Sequence, residues 1–168
     1  MRARVVVALM AKEDAAEFVA AAAASRRLHA QWVSPPLTVA AYRAKLKHMQ
    51  APDHFGFTIR RLDTGALAGY AEITNIVRGM FLSGYLGYYA FSGHECRGFM
   101  TDGLKQVTRY GFSKLGLHRL EANIQPENQP SIALVRACGF RQEGYSPRYL
   151  KIWGQWRDHE RWAILADG

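Results

Sequence analysis

Cysteine is scarce in this chain, with only Cys96 and Cys138 among its 168 residues. Two cysteines do not supply the disulfide framework of a small secreted domain, so we expect a reducing, cytoplasmic environment. Long apolar runs are missing as well. The run 5–10 is too short to span a bilayer, and the charged residues 12–14 follow it with no small-residue cleavage site. The sequence therefore predicts neither a membrane protein nor a secretory signal.

Acidic residues are also few: 14 Asp and Glu stand against 22 Lys and Arg, which gives a formal charge of +8 and a pI of about 9.8. Such a balance suits nucleic acid, an anionic cofactor or an acidic partner, and it equally suits a plain solubility surface. The basic residues lie in small, dispersed clusters such as Arg26-Arg27 and Arg60-Arg61, with no long basic tail. Charge by itself therefore does not predict an RNA-binding protein.

The composition is that of one globular domain over residues 1–168, with 49% hydrophobic and 21% charged residues. Apolar periodicity, capping residues and turn residues place its elements. Strands are predicted at 4–9, 55–59, 67–73, 84–91, 117–124, 140–145 and 156–165, and helices at 12–28, 39–49, 99–115 and 131–138. Strands before and after helices predict a mixed α/β (α+β) fold in which helices cover a sheet.

A glycine-containing loop joins the strand at 84–91 to the helix at 99–115. Its sequence is Glu95-Cys96-Arg97-Gly98, and a helix that starts after such a loop presents unpaired amides and a positive dipole end. Gly98 allows close backbone approach, and Arg97 adds a cation. The loop therefore predicts a phosphate site, although an ordinary strand-to-helix turn can contain the same glycine. It is neither a dinucleotide fingerprint nor a P-loop.

A second signal, Asn128-Gln129-Pro130-Ser131, precedes a short helix that ends at Gly139-Phe140. Gly139 lies where a helix favours a left-handed residue after its last turn. The asparagine and the serine can place an amide and a hydroxyl beside a thioester. Together with the phosphate loop, they indicate an acyl-coenzyme A enzyme.

These segments carry a family resemblance. Leu86-Gly87-Tyr88 with 97–104 resembles motif A of the GNAT acyltransferases, and 128–131 with Cys138-Gly139-Phe140 resembles motif B. The segments 75–81, 143–145 and 154–159 are similar to the RimJ-type ribosomal-protein-alanine N-acetyltransferases. The resemblance implies a single GNAT-type domain whose mixed, mostly antiparallel, twisted sheet has splayed central strands and flanking helices. It also implies acetyl-CoA as cosubstrate and no metal.

The resemblance further implies where acetyl-CoA binds. The cosubstrate lies in the gap between the splayed strands, against backbone groups of Ala90 and Phe91. The other implied contacts are Arg97, Gly98, Phe99, Met100, Thr101, Asp102, Asn128 and Ser131. Glu95 and Cys96 depart from the family pattern, and a carboxylate near a pyrophosphate is repulsive.

The catalytic groups of the family are partly missing. Many relatives have a glutamate base and a tyrosine acid where this chain has Asn123 and Val135. Ser131 resembles the serine proposed as acid in RimJ- and RimL-like enzymes, and it is equally suited to a purely structural place at the helix start. A water held by Asn123 or Asn128 can carry the proton away. Glu121 alternates with Leu120 and so shares a strand face with Asn123, which makes it the reserve base.

The missing base favours an α-amine acceptor. An α-amino group has a pKa of about 7.7–8.0 and a lysine about 10.4, so deprotonating lysine at neutral pH costs on the order of 4–5 kcal/mol. We therefore expect direct attack, in a ternary complex, by the N-terminal α-amine of a protein such as a ribosomal protein. A small amine or amino-acid-like acceptor and a weakly catalytic, ribosome- or RNA-associated factor are the alternatives. Ribosome association and a homodimer stay open.

Overall fold

The computed structural model describes residues 3–167 and contains one seven-stranded sheet. Its strands are β1 (Val5–Leu9), β2 (Phe55–Arg61), β3 (Leu67–Val77), β4 (Ser83–Ala90), β5 (Arg119–Ile124), β6 (Arg141–Ile152) and β7 (Gln155–Leu165). The order across the sheet is β1-β2-β3-β4-β5-β7-β6, and all neighbouring pairs are antiparallel except β4 with β5. The predicted mixed, mostly antiparallel sheet is confirmed.

Helices cover both faces of this sheet. They are a 3₁₀ turn (Lys12–Asp14), α1 (Ala15–Ala24), α2 (Arg26–His29), α3 (Val39–His48), α4 (Phe99–Ser113) and α5 (Gln129–Ala137). One face packs against α4 and α5, through buried residues that include Leu104, Val107 and Val135. The other face packs against α1 and α3, through Phe18 and Tyr42. Within residues 3–167, no helix combines the length and hydrophobicity needed to cross a bilayer.

The first helical segment differs from its prediction. The alanine-rich sequence predicts one helix over 12–28, but the structure breaks it at Ser25 into α1 and α2. The Ser25 hydroxyl donates to the Ala21 carbonyl at 2.7 Å and accepts the Ser92 N–H at 2.8 Å. A serine that bonds back to its own helix tends to bend it. Here the same hydroxyl also ties the helix to the loop that follows β4.

The C-terminal hairpin is longer than predicted. The sequence predicts a strand over 140–145, whereas β6 continues to residue 152. β6 is an edge strand and is largely exposed, so it shows no alternation of apolar and polar residues. Pro147 interrupts the pattern further, beside a shift in the β6–β7 register. Trp153 and Gly154 form the connecting turn, with φ angles of 51° and 78°.

β4 and β5 separate soon after they meet. Their parallel pairing joins 83–85 of β4 to 119–121 of β5 and goes no further. Residues 86–90 of β4 therefore have no β5 partner, although β4 lies in the middle of the sheet. The resulting gap between two central strands is the feature around which the candidate site forms.

Two glycines allow α4 to pack closely on the sheet. A Cβ atom on Gly103 would lie 2.7 Å from two methyl carbons of Ile59, a distance that side chains do not tolerate without movement. A Cβ atom on Gly111 would lie 3.1 Å from carbons of Ile73 and Leu120, which is tight but less severe. The close approach brings the start of α4 against the sheet beside the gap.

Replacing Gly103 with alanine should destabilise the protein, although alanine favours a helix by about 1 kcal/mol. Overpacking a buried contact costs about 1–3 kcal/mol, so we expect a net loss of up to about 2 kcal/mol. Gly111→Ala makes the same change at a position with more space, so its free energy of unfolding should fall by a smaller amount. Urea denaturation of both variants measures the difference. A Gly103→Ala variant that is at least as stable as Gly111→Ala contradicts the close packing.

Candidate active site

The gap between β4 and β5 opens into a cavity of about 460 Å³, which we call the cleft. Its walls are α2 and the residues after it, the end of β4, the loop before α4, and α5. The implied cofactor contacts that line the cleft are Ala90, Gly98, Met100, Thr101, Asn128 and Ser131. Four others, Phe91, Arg97, Phe99 and Asp102, lie around it without lining it. The structure thus brings motif A and motif B to one space.

Backbone groups of β4 face the cleft at alternate residues. The Phe91 N–H donates to the Ala68 carbonyl on β3 at 2.9 Å. Because bonding alternates along an antiparallel pair, the N–H and carbonyl groups of Ala90 and Tyr88 point away from β3 and into the gap. The backbone groups of Ala90 are therefore not bonded to β3 and face the gap. The amide of Phe91 is turned away from the gap, and its ring is buried, with 1% exposed.

His29, which the sequence analysis does not single out, bonds one of these groups. Its Nε2–H donates to the Ala90 carbonyl at 2.7 Å, which leaves Nδ1 as an unprotonated acceptor. Nδ1 is buried and has no hydrogen-bond partner within residues 3–167. Burial lowers the pKa of His29 below its usual value, and the bond to Ala90 opposes this shift more weakly. The imidazole is therefore neutral at pH 7.

The segment 95–98, directly before α4, has a left-handed backbone at two residues. Cys96 and Gly98 have φ angles of 56° and 79°, a region that glycine adopts freely and cysteine only at a cost. Gly98 is the N-cap of α4, and the amides of 99–101 precede the first intrahelical bond. That bond runs from the Asp102 N–H to the Gly98 carbonyl at 3.1 Å. Amides 99–101 are thus available to an anion, whereas the implied amide contact of Asp102 is already used.

Three arginines surround the start of α4. The guanidinium carbons of Arg4, Arg61 and Arg97 lie 5.7, 4.8 and 5.2 Å from the ring centre of Phe99, within cation–π range. Arg4 also donates to the Asp102 carboxylate at 2.8 Å. Arg4 and Arg61 were missed from the sequence because they come from the paired ends of β1 and β2, a pairing with no local signal. They place positive charge where the loop predicts phosphates.

Ser131 lies within the first turn of α5 and does not cap it. The cap is Asn128, whose Oδ1 accepts the Ser131 N–H at 3.3 Å. The Ser131 hydroxyl is 2.7 Å from the Tyr88 hydroxyl, so a pair of hydroxyls joins β4 to α5 across the cleft. Burial raises the pKa of Tyr88 well above its usual value, and the bond to Ser131 offsets only part of this. The phenol therefore stays protonated.

Asn123 and Glu121 share one face of β5, as predicted, while Leu120 and Ala122 are buried on the other. Neither side chain lines the cleft. Glu121 accepts a bond from Arg119 Nε at 2.7 Å, so its charge is already paired. Asn123 Oδ1 is buried and has no partner in the described part of the chain, which suits an atom that holds a water.

A second cavity of about 570 Å³, the outer cavity, adjoins the cleft, and Trp32 lines both. Its walls are the residues after α2, the end of β5 and the turn of the β6–β7 hairpin. Polar groups from all three walls face it, including Gln31, Gln125, Glu127 and Arg157. The cleft and the outer cavity thus give two adjoining spaces that meet at one tryptophan.

The cleft is chemically suited to acetyl-CoA. Unpaired backbone groups of β4 can bond an extended amide chain, and the start of α4 with its arginines can oppose phosphate charge. Glu95 and Cys96, the two departures from the family pattern, both line the cleft.

The acetyltransferase (GNAT) domain family matches residues 4–141. The chain belongs to the GNAT family. The resemblance read from motifs A and B is thereby confirmed, and so is the single mixed α/β GNAT domain with its mostly antiparallel sheet.

Relatives of this GNAT chain include RimJ-type proteins. The [Ribosomal protein uS5]-alanine N-acetyltransferase of Escherichia coli is 39% identical over 112 residues, which is 67% of this chain and 58% of that protein. The structure of Mycobacterium smegmatis RimJ in complex with CoA-disulfide is 28% identical, with a TM-score of 0.87 over 97% of this chain and 82% of that one. The spermidine N(1)-acetyltransferase of Vibrio cholerae is 31% identical over 72 residues, 43% of this chain and 42% of that protein.

The neutral state of His29 predicts a pH dependence of stability. Because its pKa is lowered in the fold, the unfolded chain binds the proton more readily, so stability is complete above pH ~6.5 and falls below it. His29→Asn, which cannot titrate, should lose less free energy of unfolding between pH 7.5 and 5.5 than the wild type. Urea denaturation at the two pH values measures this. His118→Asn, an exposed histidine, is the control, and equal losses in all three proteins contradict the assignment.

Proposed function

We propose that this GNAT chain transfers an acetyl group from acetyl-CoA to a primary amine, by direct attack in a ternary complex. The acceptor is the N-terminal α-amine of a protein such as a ribosomal protein. The observation that carries the proposal is the unpaired edge of β4, which ends beside the arginine-surrounded start of α4. The chain's similarity to the uS5-alanine enzyme supports the choice of acceptor.

The cleft residues can hold acetyl-CoA, which supplies the acetyl group as a reactive thioester. Amides 99–101 and the guanidinium groups of Arg4, Arg61 and Arg97 oppose the phosphate charge. The Ala90 N–H and the Tyr88 carbonyl can bond an extended amide chain in the way a neighbouring strand does. A fixed N–H at this edge also stabilises negative charge on an acetyl oxygen.

The Tyr88–Ser131 pair is suited to stabilising the departing thiolate. The Tyr88 phenol can donate to Ser131 Oγ, which frees the serine proton to point into the cleft. The raised pKa of Tyr88 keeps this donor protonated at neutral and mildly alkaline pH. A thiol with a pKa of roughly 8.5 is a good leaving group, so hydrogen bonding from the serine hydroxyl is sufficient help, and the proton that the thiolate finally takes up is the one released by the attacking amine. Tyr88 in this way takes the place of the tyrosine that Val135 replaces.

The groups available to accept the proton of the attacking amine are weak bases. Glu121 is paired with Arg119, and neither it nor Asn123 lines the cleft. The neutral imidazole of His29 does line it, but its lowered pKa makes it a weak base, so like a water on Asn123 it is poorly suited to an ammonium of pKa about 10.4. This favours an α-amine over a lysine side chain.

A polyamine is the second candidate acceptor, because a spermidine enzyme is among the relatives. A polycation needs several carboxylates, whereas the charged groups of the outer cavity are one carboxylate, Glu127, and one guanidinium, Arg157. The net charge of +8 adds long-range repulsion. The charge distribution therefore favours a peptide over a polyamine.

Three acceptors test the proposal: a peptide with a free N-terminal alanine and no lysine, its Nα-blocked twin with one lysine, and spermidine. The free α-amine should have the highest kcat/KM, because a larger fraction of it is neutral at pH 7.5. Thiol release and mass spectrometry measure the rate and the product. A doubly blocked peptide is the control for thioester hydrolysis. Faster acetylation of the blocked peptide or of spermidine overturns the choice of acceptor.

Ser131→Ala should lower kcat by roughly 100-fold, the low end of acid–base assistance, and leave CoA affinity nearly unchanged. Tyr88→Phe should lower kcat less, and the double variant should lose little more than Ser131→Ala, because the two hydroxyls act as one unit. Steady-state kinetics and calorimetry with CoA measure both quantities.

Ser113→Ala, the same change at the exposed end of α4, is the control for this series. If the losses of kcat in the two single variants add up in the double variant, the two hydroxyls do not act as one unit. An unchanged kcat in Ser131→Ala removes the proposed acid altogether.

A further inference from the structure

The residues that line the outer cavity come from segments at different sequence distances from the residues that line the cleft. Gln125 and Glu127 immediately precede Asn128, which itself lines the cleft. Trp153 and Arg157 come from the β6–β7 hairpin, whose residues are absent from the cleft lining. An acceptor whose amine lies in the cleft therefore has Glu127 on the side of its amine and its following residues beside the hairpin.

Trp153 is placed at the hairpin turn against its conformational preference. Both turn residues, Trp153 and Gly154, have positive φ, which is the two-residue turn that favours Asn-Gly. A bulky side chain in this region is an outlier, and 65% of the Trp153 side chain is exposed, so packing does not account for it. Strain of this kind is found at ligand-binding sites. Trp153 lines the outer cavity, so the strained turn places its side chain at a candidate binding site.

The two charges of the outer cavity are unpaired. Within residues 3–167, neither Glu127 nor Arg157 forms a salt bridge. Both side chains are exposed, so each is available to a ligand of opposite charge. The cavity thus presents a negative group near the cleft and a positive group farther out.

We infer that the outer cavity binds the first residues of a polypeptide whose second residue is acidic. Glu127 attracts the α-ammonium group, and Arg157 pairs with the carboxylate of the next side chain, against the aromatic wall of Trp153. The inference rests on the proposed acetyl transfer to a protein N-terminus and adds the sequence preference of that acceptor. A polyamine or a lysine-rich N-terminus places a second cation beside Arg157 and is disfavoured.

Three peptides that differ only in a second residue of Glu, Gln or Lys test the preference. The wild-type kcat/KM should fall in that order, by about fivefold at each step, which is the range of an exposed ion pair. The differences should shrink in 0.5 M salt, where charge interactions are screened. Arg157→Glu should reverse the order.

Lys151→Glu is the matched control, because it makes the same charge change on the same hairpin at a residue outside both cavities. It should keep the wild-type order. Glu127→Gln should raise KM for all three peptides and leave their order intact, because it acts on the shared α-ammonium group.

Unchanged order in Arg157→Glu overturns the inference, and so does equal reversal in Lys151→Glu, which would assign the effect to the overall charge of the hairpin. Equal rates for the three peptides in the wild type also overturn it while leaving the proposed acetyl transfer intact. Failure of the proposed function gives a different result: CoA binds, yet none of the three peptides is acetylated.

Discussion

The early separation of β4 from β5 is the constraint on which the rest of the site depends. Strands in the middle of a sheet normally bond on both edges, and buried backbone groups without partners are costly. Here β4 loses its β5 partner after three residues. His29 bonds the Ala90 carbonyl and thereby satisfies one exposed group. The groups that stay free form a binding edge, so the sheet is incomplete where a ligand can complete it.

The charged groups at the start of α4 are likewise arranged so that a ligand can pair with them. Arg4, Arg61 and Arg97 gather around Phe99 although like charges repel. The carboxylates of Asp102 and Asp63 hold two of them, and the aromatic face contributes attraction. With Glu95, which lines the cleft, three carboxylates stand beside these three arginines, so the site offers directed donors to an anion and not an excess of positive charge.

The chemistry divides between two sides of the gap. On the side of α5, the hydroxyls of Tyr88 and Ser131 lie 2.7 Å apart, and burial raises the pKa of Tyr88, whereas the face shared by Glu121 and Asn123 offers one paired carboxylate and one amide oxygen without a partner in the described residues. The absence of a strong base among these groups suits an acceptor amine that loses its proton readily. The outer cavity adds charge of both signs instead of a carboxylate cluster. The groups on both sides of the gap and in the outer cavity therefore support the proposed acceptor, the N-terminal α-amine of a protein.

The sequence by itself determined the elements with local signals. Thr38 caps α3 through its hydroxyl, the glycine at 98 is left-handed at the start of α4, and the alternation in β5 puts Asn123 beside Glu121. Motif spacing was enough to predict the family, because each motif is a local strand–loop–helix unit. The edge strand β6, with its exposed residues and Pro147, had no periodic pattern to find.

Only the tertiary structure decided which distant groups meet. Arg4 and Arg61 reach the phosphate loop through strand pairing, His29 reaches Ala90 because Ser25 breaks a helix, and Tyr88 meets Ser131 across the gap. Propensity and periodicity depend on neighbours along the chain, whereas these contacts join residues 38 (Arg61 to Phe99) to 98 (Arg4 to Asp102) positions apart. Such contacts are set by register and packing, which no local pattern encodes.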